Sequence, residues 1–366
     1  MTQKLLLTIM FLLCAYQAQA LNKQNIEEQY NVNFGADAAY RLQNIKSQNV
    51  SQLLITPYLN KNLSDNEYGK TDFTFSMNIV KFPHTKPAEA AARQRIATLF
   101  NSYDADYNEL YELYISYILP NEYNDITIGF GQIPIAKFDS PIASDLQRYY
   151  FLNSATSQNT TFIYPTAGIG AYSQTYLSPN LIFSLGFVDA SNPTADGIHF
   201  NRFAENSYFA SVNYVPQIYS RYRGSYSLLL YNKPSVKKSA YSGQGWSLYL
   251  AQDISDKHSL FLRLNGSTGN NITTNRSYTV GVLYNNPFNR SQNDGLGAAY
   301  SVNKINKKAT DDRVYNTYEH ITEIYYNYSI NDNFSVLSDA QLYFKRGYED
   351  KNSPAAVISF GFNLSF

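Results

Sequence analysis

Cysteine is almost absent from this chain: the only one, Cys14, sits inside an N-terminal apolar run. If that run is removed, the remaining chain has no thiol, which excludes disulfide scaffolds, thiolate nucleophiles and Cys-based metal sites. Long apolar helices are missing too. After the N-terminus, every apolar run is broken within about ten residues by a charged or amide side chain, so no helical membrane span is expected. Charge is sparse, at 16% of residues, and sums to a formal net of zero, so nothing favours a nucleic-acid partner. The four histidines, His84, His199, His258 and His320, are scattered. They form no HExxH or other metal-ligand spacing, and there is no G-x-S-x-G elbow. His320, between Glu319 and Glu323, is the best acid–base candidate and reads as a residue at a strand edge. Asn-x-Ser/Thr sequons are expected by chance in so Asn-rich a chain. No cofactor and no enzymatic activity are expected.

What the chain does have is aromatic residues of one kind: 34 Tyr and 22 Phe against a single Trp. That density suits a sheet with aromatic girdles at two membrane interfaces. The first twenty residues read as a signal peptide. Lys4 gives the positive start, Leu5 to Ala15 the short apolar stretch, and Ala18-Gln19-Ala20 the small-residue cleavage site. The expected organisation is a signal peptide over 1–20, a short periplasmic segment over 21–32, and one barrel domain over 33–366.

The C-terminus carries the clearest pattern. Ile358, Phe360, Phe362, Leu364 and Phe366 alternate with Ser359, Gly361, Asn363 and Ser365, which directs apolar groups to lipid and small polar groups to a wet lumen. Phe366 reads as the terminal aromatic by which the barrel-assembly machinery recognises a last strand. The alternation recurs upstream, from Phe34–Leu42 and Phe73–Ile79 through Tyr111–Tyr117, Leu181–Phe187 and Tyr278–Tyr284 to Leu342–Phe344. Leu53–Tyr58 and Gly168–Leu177 are weaker segments. The count is about sixteen. The fold class is therefore all-β: a transmembrane antiparallel β-barrel of about 16 strands, in the outer membrane of a Gram-negative bacterium. Short periplasmic turns are expected at 120–125, 178–180, 255–258 and 331–333. Long extracellular loops are expected at 83–107, 134–165, 189–207 and 303–319. The links 60–72 and 285–294 are long for turns. Ala88 to Phe100 is the one helical-looking segment and is assigned to an extracellular loop.

Opposite the apolar faces lie Asp37, Arg41, Glu112, Arg223, Arg263, Glu323, Asp339, Gln341 and Tyr343. Charge facing lipid at mid-depth costs ~2–4 kcal/mol, so these side chains are assigned to the lumen, where they hydrate the wall or hydrogen-bond passing solutes. The 134–165 loop concentrates Lys137, Phe138, Asp139, Asp145, Arg148, Tyr149, Tyr150 and Phe151. Charges beside rings are the chemistry of a sugar site, and also of a loop packed on the barrel mouth. Whether the loop folds inward is open on sequence.

Several pieces resemble the carbohydrate-selective porins of OprB type, and they occur in order. They are Leu110–Tyr114, Gly131–Asp139, Phe151–Asn153, Pro165–Ala171, Phe209–Pro216, Gly245–Gln252, Leu260–Arg263, Tyr278–Tyr284, Asp294–Tyr300 and Leu337–Tyr343. The resemblance covers about residues 107–366 and implies a sixteen-stranded porin that passes small hydrophilic solutes, sugars above all. Two alternatives stand beside it: a non-specific or ion-selective porin, and a surface adhesin on a barrel scaffold. Trimerisation is common among porins, and no motif here reports on it.

Overall fold

The computed structural model describes residues 27, 31–46, 48–120, 126–139, 150–162, 164–192, 194–198, 205–218, 222–236, 242–270, 272–309, 313–351 and 353–366. The leader expected at 1–20 lies outside them.

Sixteen long strands form one antiparallel sheet that closes on itself. They are β1 Val32–Ile45, β2 Gln48–Asn66, β3 Gly69–Lys81, β4 Tyr107–Leu119, β5 Ile126–Ile133, β6 Gly168–Ser178, β7 Leu181–Asp189 and β8 Asn206–Tyr214. Then follow β9 Tyr222–Lys233, β10 Ser242–Asp253, β11 His258–Asn270, β12 Thr274–Asn285, β13 Gly295–Ile305, β14 Tyr318–Asn331, β15 Phe334–Lys345 and β16 Ala355–Ser365. A two-residue ribbon, Gln217–Ile218, pairs with the start of β9. Closure is made by β16 on β1, from Asp37 opposite Ser365 to Ile45 opposite Val357. Because every strand has two neighbours, no edge is left to satisfy in hydrocarbon.

Link lengths sort by end. At the end that holds the termini the links are 67–68, 120–125, 179–180, 215–221, 254–257, 286–294 and 332–333. At the other end they are 46–47, 82–106, 134–167, 190–205, 234–241, 271–273, 306–317 and 346–354. The four long loops expected from sequence all fall at this second end.

Two details differ from expectation. The stretch 60–72 is no long turn: β2 and β3 continue through it as a polar hairpin. Asn62 Nδ2 donates to Asp72 Oδ1 (3.0 Å) and Ser64 Oγ to Thr71 Oγ1 (3.0 Å), beside a bulge between Asn62 and Ser64. Polar residues on both faces hide a strand from a hydrophobic-alternation reading. In the 82–106 loop, the helix α1 spans only Pro87–Arg93. Arg95 takes the left-handed conformation (φ 56°), the Ile96 N–H returns to Ala91 O (3.0 Å), and the Arg95 N–H to Ala92 O (3.0 Å). That pair of bonds is a Schellman stop, which residue propensity alone does not reveal.

The apolar alternation faces outward as expected. Leu42, Ile115, Phe130, Leu185, Leu230, Val280, Ile324 and Phe360 are all exposed on the outer surface. One register changes: a bulge between the Ser76 and Met77 pairings falls at Tyr111, so Glu109 and Glu112 both keep inward partners, Asn78 and Ser76. The Tyr111-to-Tyr117 outward face expected from sequence therefore begins only at Leu113.

Phe366 closes the last strand, its N–H donating to Ala36 O on β1 (3.0 Å). Deleting Phe366, or making it charged, is expected to impair assembly without blocking passage across the inner membrane. Gel assays of heat-modifiable barrel in outer-membrane fractions check this, and a normal yield of barrel would refute it.

Candidate functional site: a lumen narrowed by two infolded loops

The inner wall is not uniformly polar. Ile45, Val50, Val80, Leu229, Ile321, Leu337 and Val357 point inward and are buried, because two long loops dip into the barrel and cover them.

The 134–167 loop leaves β5 at Gly131, whose positive φ (141°) and closeness to Leu113 O leave no room for a Cβ. Pro134 then starts a 3₁₀ turn over Ile135–Phe138. Ile135 and Phe138, three apart, share one face of that turn and bury it against the wall, with Phe138 stacked on Phe209 (4.4 Å between ring centroids) and edge-on to Tyr172. Further along, Phe151 and Leu152 are buried against Tyr249, Phe261 and Tyr325. A short helix, α2 Ser154–Ser157, is capped by Asn153, whose side chain accepts from the Ala155 N–H.

Glu323 on β14 holds this segment. It accepts from the Leu152 N–H (2.6 Å), the Asn153 N–H (2.9 Å) and the Thr156 hydroxyl. Asn153 Nδ2 donates to Gln341 Oε1 (2.9 Å) and Tyr343 Oη (2.6 Å), and Thr279 donates to Ala155 O (2.8 Å).

The 82–106 loop is the second, and sequence reading missed its inward path. Glu319, four residues before Glu323 on the same strand, accepts from the Ala97 (3.0 Å), Thr98 (2.7 Å) and Gly347 (2.9 Å) N–H groups. Asn101 Nδ2 donates to Gln43 (2.8 Å) and Gln52 (2.9 Å), while Gln341 Nε2 donates to Phe100 O (3.0 Å). The loops also grip each other, the Ser154 N–H donating to Leu99 O (3.1 Å) and Ser102 meeting Ser157 (2.7 Å between hydroxyls). Paired apolar residues within strands, such as Leu53-Leu54, Ile79-Val80, Leu228-Leu229 and Val357-Ile358, carry the signal that both wall faces are covered.

This docking reassigns the sequence candidates. Phe138, Asp139, Arg263, Asp339 and Gln341 are buried and hold loops or wall in place, where the sequence offered either wall hydration and loop packing or solute contact. Burial pushes the Asp139 carboxyl above its ordinary range, against the opposing pull of Arg263 and a Ser247 hydrogen bond. The Arg263 guanidinium lies over the Tyr249 ring (5.2 Å). Arg223 is exposed on the inward register at the mouth near the termini. Asp145, Arg148 and Tyr149 lie outside the described residues.

Lys137 and Glu112 keep water access. Lys137, 33% exposed, pairs with Glu112, 21% exposed, at 4.0 Å. Its ammonium also donates to the Tyr114 hydroxyl, with the Tyr114 ring centroid at 4.4 Å and that of Tyr172 at 5.6 Å. The Tyr172 ring lies across Gly129, where any Cβ would collide with it. Ser76 donates to Glu112 (2.9 Å). Inward-facing, partly exposed Asp37, Thr56, Asp72, Thr74 and Gln174 extend this polar strip along β1–β6, toward the end that holds the termini.

Residues 198–366 match the model of the carbohydrate-selective porin, OprB family. The chain belongs to that family. It is 31% identical over 81% of its length to Porin AaxA of Chlamydia abortus, covering 66% of that protein. To Porin AaxA of Chlamydia felis it is 29% identical over 84% of its length, covering 70% of that protein. The chain thus spans about two thirds of these relatives. The high-pH structure of Pseudomonas putida OprB has the same fold, with a TM-score of 0.75, 13% identity, and 94% of this chain and 96% of that one covered. Membership and barrel together place this OprB-type porin in the outer membrane, in a family of channels rather than enzymes.

Proposed function

We propose that this porin passes small hydrophilic solutes, carbohydrates foremost, by diffusion past the Lys137–Glu112 strip. In this reading residues 1–20 are a leader that is cleaved off, the termini lie in the periplasm, and the long-loop end faces outside, as in barrels with short periplasmic turns. The observation that carries the solute class is charge pairing: Glu112 is met by Lys137 (4.0 Å) and Asp72 by Lys70 (3.2 Å). Donors and acceptors then stand side by side with little net field, which suits an uncharged polyol better than an ion. The carbohydrate-selective name of the family points the same way. The pore does no covalent chemistry and needs no cofactor.

Liposome swelling with neutral sugars and size-matched charged amino acids tests this. Faster entry of sugars is expected; equal or faster entry of ions marks a general or ion-selective porin, and no permeability marks an adhesin. Within the strip, Lys137→Ala or Glu112→Gln is expected to weaken sugar block of single-channel current roughly 2- to 10-fold, the worth of one hydrogen bond of about 0.5–1.5 kcal/mol. Conductance should change little. Unaltered block in both variants would move the solute contact elsewhere in the pore.

A further inference from the structure

The outer surface carries a groove of about 610 Å³ at the long-loop end, lined by Tyr208, Ala210, Leu230, Trp246, Thr268 and Arg276 among others. These six occupy outward register positions on β8 to β12. Trp246 is the only tryptophan of the chain, and tryptophan concentrates where bilayer hydrocarbon meets headgroups. Gly266 opens the floor: a Cβ there would lie 2.8 Å from Trp246 Nε1 and 2.9 Å from Arg276 Nη1. Arg276 Nη1 donates to Ser267 O (3.2 Å) and Asn275 O (2.9 Å). Its Nε and Nη2 have no acceptor among the described residues.

The basic character continues around the rim. Lys304 on β13 is the register partner of Arg276, and Lys345 on β15 that of His320 on β14. Neither lysine has a carboxylate within salt-bridge distance among the described residues, and no acidic residue occupies the outward register of β12 to β15. From β12 to β15 the row spans three strand spacings, roughly 15 Å. Beneath it lie exposed Tyr278, Tyr300 and Phe344. An apolar slot with an interfacial indole, bordered at headgroup level by cations that have no carboxylate partner among the described residues, matches a lipid with an anionic head.

We propose that this face binds a phosphorylated glycolipid of the outer leaflet. One acyl chain lies in the Trp246 groove, and the phosphates rest on Arg276, Lys304 and Lys345. The assignment rests on the reading that the long-loop end faces outside. The test is native mass spectrometry of the full porin released from nanodiscs containing a bisphosphorylated glycolipid, its dephosphorylated form, or phosphatidylcholine alone. Retention of the bisphosphorylated lipid only is expected. Arg276→Gln/Lys304→Gln/Lys345→Gln should weaken that retention on the order of a hundredfold, each basic group near an anionic surface contributing about a fivefold factor. Trp246→Ala should weaken it through the chain, and inorganic phosphate should not compete at millimolar concentration. Equal retention of the dephosphorylated lipid, or full retention by the triple variant, would overturn the proposal. Single-channel recording of the same samples separates the two readings. A triple variant that conducts normally and has lost the lipid supports the site. A wild-type protein that conducts and holds no lipid overturns the site alone, and one that holds the lipid and never conducts overturns the pore.

Discussion

Replacing Glu323 with alanine opens the channel: a several-fold rise in single-channel conductance and loss of sugar block are expected. Glu323 receives two backbone N–H groups and the Thr156 hydroxyl of the 134–167 loop, and all three lie buried against β14. The two N–H groups, stranded without an acceptor, cost about 1–3 kcal/mol each, enough to loosen a short segment, while the Thr156 hydroxyl keeps Asn153 O as an acceptor (3.0 Å). The wall is spared, because the backbone ladder of β14 to β13 and β15 does not depend on that side chain. Glu323→Gln keeps an acceptor oxygen and should fall between wild type and alanine. Planar-bilayer recording of folded, heat-modifiable protein checks the series. Wild-type conductance and block in Glu323→Ala would mean that the loop is held by its aromatic anchors Phe138 and Phe151 alone.

The second large effect separates the two faces of the wall. Phe360→Lys is expected to destabilise the barrel by ~2–4 kcal/mol, the cost of a lysine at mid-depth in hydrocarbon. Phe360 faces outward at mid-strand, opposite Leu42 on one side and Ser338 on the other. Gln174→Lys should be close to neutral, since Gln174 lies on the inward register of β6 with partial water access. Ser359 is a poor lumen control although it faces inward, being buried between Gln43 and Asp339. Urea unfolding of the two variants in the same lipid decides the matter. Equal losses would mean that the register is one residue out, which would exchange the faces.

Sequence by itself determined the barrel. Alternation with period two needs only the neighbouring residues, and burial in lipid on one side and water on the other enforces it along nearly every strand, so strand number, facing and link lengths were legible. It was least legible where that enforcement lapses: in the polar hairpin of β2 and β3, and at the Tyr111 bulge. The site was legible only in its parts. Lys137 and Glu112 are separated by one strand, a turn and the start of a loop, and their charge types suggested a lumen role without saying that they meet. Tertiary structure alone decided which inward residues touch solute. Glu319, Glu323, Asp339 and Gln341 look like any other wall polar groups until the 82–106 and 134–167 loops fold against them. Those contacts join residues far apart in the chain, and their strength comes from burial, which no local pattern encodes.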